Sequence, residues 1–257
     1  MNQKNIWWWV GGAIIIIIVL VVVGLFISGT TTKPKVTPTP QITVSKQVIQ
    51  KDDGVSKVDI EYPLFEGAPQ AINDKIQEIL NARIQEFKKI AAENEQARID
   101  TNKQLPASEQ RPARPDATDS WYMLYIRYAT GIVDTQKISA IFFIDEYSGG
   151  AHGNKSFIPF NYNNAQNKEI TLADVFPNTP DYLQLISQFV YTDIVKQINA
   201  QDHSREPDMG WIQTGTAPLI DNFSNFTLGE NSITFYIPPY QVAAYAYGDF
   251  QVTMPLN

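Results

Sequence analysis

Hydrophobic residues follow two patterns along the chain, a continuous one near the N-terminus and a periodic one beyond it. Residues 6–27 form an uninterrupted run of 22 residues without a charged side chain. As a helix, this run would be about 33 Å long, enough to cross a hydrocarbon layer of roughly 30 Å. Trp7, Trp8 and Trp9 stand where an interfacial aromatic belt is expected. The run therefore predicts a transmembrane helix over 6–27, preceded by a short cytoplasmic tail over 1–5.

The alternative for this run is a cleaved signal peptide, whose apolar region normally spans roughly 7–15 residues before a small-residue cleavage site. The run is longer than that, and residues 26–30 (FISGT) make a poor cleavage site. We favour an uncleaved single-pass anchor in the cell membrane. Long domains are translocated with little regard for their charge, so the C-terminal domain is expected to be extracytoplasmic. Residues 28–42 are rich in Thr and Pro and predict an extended stalk.

The periodic pattern begins at about residue 43. Val58, Ile60, Tyr62 and Leu64 alternate with polar residues, which is typical of a strand. Apolar residues then recur at three- and four-residue spacings and predict a helix over 69–98, followed by a polar loop over 100–119. Alternation predicts further strands over 121–128, 138–147, 157–162, 169–172, 232–237 and 250–256, and a second helix begins near 180 and ends near 200.

Consecutive strands dominate this order of elements. They predict an α+β fold with mainly antiparallel sheets and helices packed on one face. The turn-rich stretch 161–167 divides the folded part into a first unit over 43–163 and a second over 164–257.

Composition and charge exclude several classes of protein. The 257 residues include no cysteine, which excludes a disulfide scaffold, a Cys-based zinc finger and a Cys nucleophile. Three of the 20 basic residues (Lys4, Lys33 and Lys35) and none of the 27 acidic residues precede residue 36, so the remainder carries a net charge of -10. Such a surface would repel phosphates, so we expect no nucleic-acid partner. It would attract cationic proteins instead.

The first candidate site is the loop over 145–154 (DEYSGGAHGN), which lies between two predicted strands. Tyr147, Gly149, Gly150 and His152 are candidate ligand-binding residues, and the paired glycines permit positive φ in a tight connection. A structural hairpin in which His152 bonds its own loop is the competing interpretation. A second alternative is a cell-envelope hydrolase that uses Asp145, Glu146 and His152.

The second candidate is the tyrosine-rich segment over 236–248, between the last two predicted strands. Tyr240, Tyr245 and Tyr247 have apolar rings with polar tips, which suit contact with a protein or a glycan. The alternative is that these tyrosines only cap the end of the sheet.

Motifs for catalysis are missing from the sequence. It contains no G-x-S-x-G, S-x-x-K or H-E-x-x-H, and it has only two histidines, His152 and His203. We therefore predict no catalytic residues, no metal site and no cofactor.

Several short motifs recur in the order found in a known family. They are YSGGAH (147–152), ITLADVF (170–176), ITFY (233–236) and YQVA (240–243) with Tyr245 and Gly248, preceded by IEYP (60–63) with Ile72 and Asn73. The pattern resembles the paired extracytoplasmic domains of unknown function in the ectodomain of the anti-sigma factor RsiV and in the N-terminal part of PdaC-type peptidoglycan deacetylases. The resemblance covers roughly residues 45–256, with the first unit of the PdaC-like N-terminal type and the second of the RsiV C-terminal type.

The resemblance implies an α+β fold that faces the cell wall. In RsiV-like proteins this region binds lysozyme and controls regulated cleavage, and in the deacetylases the catalytic metal domain is a separate one. Five residues precede residue 6 and the sequence stops at Asn257, so we expect neither a cytoplasmic sigma-binding domain nor a deacetylase domain. The expected function is a membrane-anchored binding or sensing module for a cell-envelope protein or glycan, such as a cationic lysozyme or a peptidoglycan fragment.

Overall fold

The computed structural model describes residues 41–110, 121–201 and 208–256. The predicted transmembrane helix, and the predicted stalk up to residue 40, lie outside these ranges. Within them, no helix combines the length and the apolar character needed to cross a bilayer. Ile42, the last residue of the predicted stalk, is already buried in the core.

Six strands form the first sheet, and they follow one another in chain order across it. The strands are β1 (Thr43–Asp52), β2 (Ser56–Glu66), β3 (Tyr122–Val133), β4 (Lys137–Tyr147), β5 (Asn154–Asn163) and β6 (Lys168–Glu169). Neighbours pair antiparallel except β2 and β3, which are parallel. The long helix between β2 and β3 allows this parallel step, since parallel strands require a crossover connection.

That helix, α1 (Gln70–Gln104), covers one face of the first sheet. Its buried apolar residues recur at three- and four-residue spacings: Ile72, Ile76, Leu80, Ile84, Phe87 and Ala91. The loop predicted from residue 100 begins too early, because α1 continues to Gln104. Exposed side-chain pairs, Gln96 with Asp100 and Lys103 with Asp100, support this last turn. These residues are polar, so no apolar periodicity predicts the last turn of the helix.

The second sheet has three antiparallel strands, β7 (Phe226–Leu228), β8 (Ser232–Ile237) and β9 (Phe250–Pro255). Helix α3 (Tyr182–Ala200) covers the residues for which the second helix was predicted. It packs against β9. The strand predicted over 169–172 is wrong beyond Glu169. Thr171 and Asp174 form a reciprocal capping box instead and start the short helix α2 (Leu172–Val175).

Strand β4 lies between α1 and the second sheet, so most of both of its faces is buried. Ile138, Phe142 and Ile144 pack under α1, and Ser139, on the opposite face, accepts a hydrogen bond from the N–H of Leu228 at 2.8 Å. Next to it, the Asn161 side-chain amide donates to the carbonyl of Phe226 at 2.8 Å. The observed fold is therefore a mixed α+β fold with antiparallel-rich sheets, in which β7 lies against the face that α1 leaves open.

Candidate functional site

The loop after β4 is a tight, internally bonded turn. Gly149 and Gly150 have φ of 111° and 103°, the positive values that the glycine pair was predicted to permit. The Tyr147 hydroxyl donates to the carbonyl of Gly150 at 3.0 Å. From α1, the Asn94 side chain donates to the carbonyl of Ser148 at 2.6 Å. The loop is therefore held both by its own tyrosine and by the helix.

Hydrogen bonds of a glutamine side chain anchor the connection between β8 and β9. The Gln241 side-chain amide donates to the carbonyls of Gly215 and Asn222 at 2.8 and 3.0 Å. Tyr240, the residue before this glutamine, lies at the surface: it is 49% exposed and has a φ of 70°. The Trp211 indole N–H donates to the carbonyl of Tyr240 at 3.0 Å.

The two segments meet at three aromatic rings, His152, Tyr240 and Tyr245, called here the His–Tyr cluster. The rings of His152 and Tyr245 stack with centroids 4.0 Å apart, and those of Tyr240 and Tyr245 are 5.6 Å apart. His152 Nδ1 lies 2.7 Å from the carbonyl oxygen of Gly153, which can only accept, so Nδ1 carries the proton. In the neutral ring Nε2 then accepts from the Tyr240 hydroxyl, 3.1 Å away.

The other predicted binding residues lie around this cluster. Tyr147 and Tyr245 line a common cleft beside it. Gly149 and Gly150 are exposed in the turn. Tyr247 is partly buried and packs against the core of the second sheet. The structure thus brings His152 together with Tyr240 and Tyr245, although Tyr240 lies 88 residues further along the chain.

Two residues of the hydrolase alternative, Asp145 and Glu146, point in opposite directions. Successive residues of a strand point to opposite faces, so Glu146 points toward α1 and forms an ion pair with Arg83. Asp145 points the other way, and its nearest cation is the Lys155 ammonium at 4.0 Å. His152 is engaged in the His–Tyr cluster. In the part of the chain that the structure describes, no group of three or more His, Asp or Glu residues could hold a metal ion.

Two further residues, Lys155 and Trp211, lie beside the cluster and were not predicted as site residues. Lys155 on β5 donates to Asp249 at 3.2 Å, and this hydrogen bond raises the pKa of its ammonium group. Trp211 lies on α4 (Met209–Gly215), a helix that was not predicted. Asp208 caps α4 by accepting from the N–H of Trp211, and an Asp at this position was the one local signal for the helix.

Comparison with known proteins assigns a domain to each part of the folded chain. Residues 49–155 match the family model described as deacetylase PdaC. Residues 173–257 match the family model described as a protein of unknown function, DUF3298. Both domains are present in this chain. The finding confirms the predicted resemblance to paired domains such as those of PdaC, and it means that His152 belongs to the first domain and Tyr240 and Tyr245 to the second.

Similar proteins extend these matches. The peptidoglycan-N-acetylmuramic acid deacetylase PdaC of Bacillus subtilis is 31% identical over 119 residues, which are 46% of this chain and 24% of that protein. The chain thus spans about a quarter of the length of this curated relative. A solved DUF3298-family structure from Bacteroides fragilis is 18% identical, with a TM-score of 0.57, and the match covers 83% of this chain and 90% of the other. At this identity the likeness shows the fold alone.

Proposed function

We propose that this protein is a binding module for a ligand of the cell envelope, and that the His–Tyr cluster is its contact surface. The domain content indicates a cell-wall-related module. One observation supports a site at this place: each domain contributes aromatic residues from a connection between strands, and the two connections meet at the surface. Tyrosine and tryptophan are enriched among the residues that dominate the binding energy of protein interfaces.

A cationic protein such as lysozyme is the first ligand class that we propose. The chain beyond residue 35 carries a net charge of -10, and opposite charge accelerates encounter and selects partners. A peptidoglycan fragment is the second class. It is supported by the exposed rings of Tyr240 and Trp211, which offer flat amphipathic surfaces of the kind that contact glycans. We propose that either ligand is bound without being turned over.

Titration of the full chain in detergent micelles against a cationic lysozyme and against soluble muropeptides tests this function. We expect saturable binding to one of them, weakened about tenfold or more by Tyr240→Ala. Phe189→Ala is the matched control, since Phe189 is also an exposed aromatic but lies on α3. Absence of binding to both classes at low and moderate salt would overturn the proposal. Chemically altered muropeptides after incubation would contradict binding without turnover.

We further propose that residues 6–27 anchor the protein in the cell membrane with the folded part outside. The support is the length and apolar character of this run. Protease added to intact cells should remove the C-terminal part. Full protection of that part in intact cells, together with cleavage after lysis, would place it inside and refute this topology.

A further inference from the structure

A small cleft lies beside the His–Tyr cluster and has a different chemical character. Its volume is about 270 Å³, and its lining includes Met123, Tyr125, Asp145, Tyr147 and Tyr245. Met123 stands opposite Tyr147 and Tyr125 opposite Asp145 in the pairing of β3 with β4. Residues directly opposite in a strand pair share a face, so these four side chains form the floor. Tyr245, from the second domain, forms a wall.

The cleft has one carboxylate with unused acceptor capacity. The Asp145 side chain is 53% exposed, and among the described residues its only polar contact is the Lys155 ammonium at 4.0 Å. Lys155 is engaged more closely with Asp249, at 3.2 Å. The three charges together leave a local net charge of -1, and a carboxylate can accept several hydrogen bonds. Asp145 can therefore receive a further donor.

The other charged groups near the floor all have oppositely charged partners. The Arg127 guanidinium lies 6.0 Å from the centre of the Tyr125 ring and pairs with the Asp59 carboxylate at 3.0 Å. Glu146, which also borders the cleft, is paired with Arg83 on the opposite face of the sheet. Asp145 thus sets the sign of the charge that the cleft presents.

Three tyrosine rings and one carboxylate are a combination that recognises cations. The negative face of an aromatic ring attracts ammonium and guanidinium groups, and a carboxylate accepts their hydrogen bonds. The volume is below the roughly 300–1,000 Å³ of ordinary small-molecule sites, so one long side chain fits better than a whole organic ligand. An anionic group would be repelled by Asp145.

We propose that this cleft receives a lysine or arginine side chain of a protein ligand that is bound at the His–Tyr cluster. The inference rests on the proposed function, because it names the chemistry by which a cationic protein would be held. Tyr245 belongs to both features, so a protein that covers the cluster also covers the cleft.

The test titrates small probes, and then lysozyme, against the full chain in nanodiscs. N-acetyl-lysine methylamide and N-acetyl-arginine methylamide are titrated against the full chain in nanodiscs by saturation-transfer NMR, with N-acetyl-norleucine methylamide as the uncharged control. We expect at least one cationic probe to bind in the millimolar range and norleucine not to bind. Asp145→Asn should weaken that probe about threefold to tenfold. Asp181→Asn removes the same charge from an exposed position at the start of α3 and should have no effect.

A second pair of variants distinguishes the contribution of the Tyr125 ring to probe binding from that of its hydroxyl. Tyr125→Phe keeps the aromatic face and should keep probe binding, whereas Tyr125→Leu should reduce it. Equal binding of norleucine and the cationic probes, or no effect of Asp145→Asn, would overturn the cleft proposal. If lysozyme binds and responds to Tyr240→Ala but neither cationic probe binds, the cleft proposal fails and the proposed function stands. If a cationic probe binds but lysozyme and muropeptides do not, the proposed function fails together with the protein ligand named for the cleft, and only a cation-binding cleft remains.

Discussion

Tyr240 has a backbone conformation that an amino acid with a side chain seldom adopts. Its φ of 70° lies in the left-handed region, which costs a non-glycine residue roughly 1–2 kcal/mol. The surrounding bonds hold it there: Trp211 donates to its carbonyl, and Gln241 next to it is bonded twice. Strain of this kind is concentrated at functional sites, which agrees with the role that we propose for Tyr240.

Replacement of Tyr240 by glycine and by alanine should reveal this strain. Both changes remove the ring, but only glycine is free of the left-handed penalty, so Tyr240→Gly should be more stable than Tyr240→Ala by roughly 0.5–1 kcal/mol. Urea unfolding of residues 38–257 measures the difference. At the exposed helical position Ala97 the order should reverse, with Ala97→Gly costing about 1 kcal/mol. Greater stability of Tyr240→Ala would contradict the strained conformation.

Asp174 gives the fold a dependence on acid pH. The hydrogen bond from Lys168, followed by those from Thr171, lowers the pKa of this carboxyl to about 2, whereas an unfolded Asp titrates near 3.9. A lowered pKa stabilises the fold above the unfolded value, and the contribution disappears as the pH falls from about 4 to about 2. The unfolding midpoint of the wild type should therefore be higher than that of Asp174→Asn at pH 5. The difference between the two midpoints should disappear toward pH 2. A constant gap would refute the assignment.

At the scale of elements, the first candidate loop depends on its contact with α1. Arg83 on the helix pairs with Glu146 at the end of β4, and Asn94 donates to the carbonyl of Ser148 two residues later. Glu146 is only 8% exposed and Arg83 18% exposed. Removal of Arg83 is costly, because the buried Glu146 carboxylate has no second ion-pair partner among the described residues. The helix therefore fixes where the loop leaves the sheet.

Removal of Arg83 should be far more damaging than removal of its exposed partner. Arg83→Ala leaves Glu146 unpaired and should lower the free energy of unfolding by about 3 kcal/mol. Glu86→Ala, which breaks the exposed half of the same arginine's contacts, should cost less than about 1 kcal/mol. The double variant Arg83→Met with Glu146→Leu should recover most of the loss. Equal effects of the two alanine variants would show that burial of the pair contributes nothing.

At the scale of the whole molecule, the two sheets are held together by polar and backbone contacts, and by the rings of Phe143 and Phe157, which pack against Tyr236 of β8. Ser139 accepts from the N–H of Leu228, and Asn161 both accepts from Ser139 and donates to the carbonyl of Phe226. Gly131 on β3 completes the contact, because a Cβ atom there would lie 2.1 Å from the carbonyl oxygen of Leu228. This junction places the loop of the first domain beside the tyrosines of the second.

Gly131→Ala should disturb both domains at once. The added methyl group cannot fit against a backbone oxygen, so β3 and β7 must separate, at a cost of about 2–3 kcal/mol. Calorimetry should show a lower melting temperature, and ring-current shifts from the His152–Tyr245 stack should decrease. Gly150→Ala is a useful comparison, since no atom lies within 4 Å of its added Cβ and only its positive φ is strained. An unchanged melting temperature for Gly131→Ala would contradict the junction.

The sequence by itself determined the elements whose pattern is local. The apolar spacing of α1 from Ile72 to Ala91, the extent of α3 and the alternation of β8 and β9 were readable, since each face is repeated over several turns or residue pairs. The two candidate segments were also readable, from their glycines and tyrosines. Helix α2 was missed because a capping box, rather than periodicity, starts it.

Only the tertiary structure decided which of these residues meet. Alternation along β4 places Asp145 and Glu146 on opposite faces. No local pattern shows that Glu146 forms an ion pair with Arg83. The stacking of His152 on Tyr245 depends on the junction at Ser139 and Gly131, which joins segments almost 90 residues apart. Local patterns fix helices and strands because their forces act between near neighbours. The cluster and the cleft arise from the packing of two sheets, which the chain specifies only as a whole.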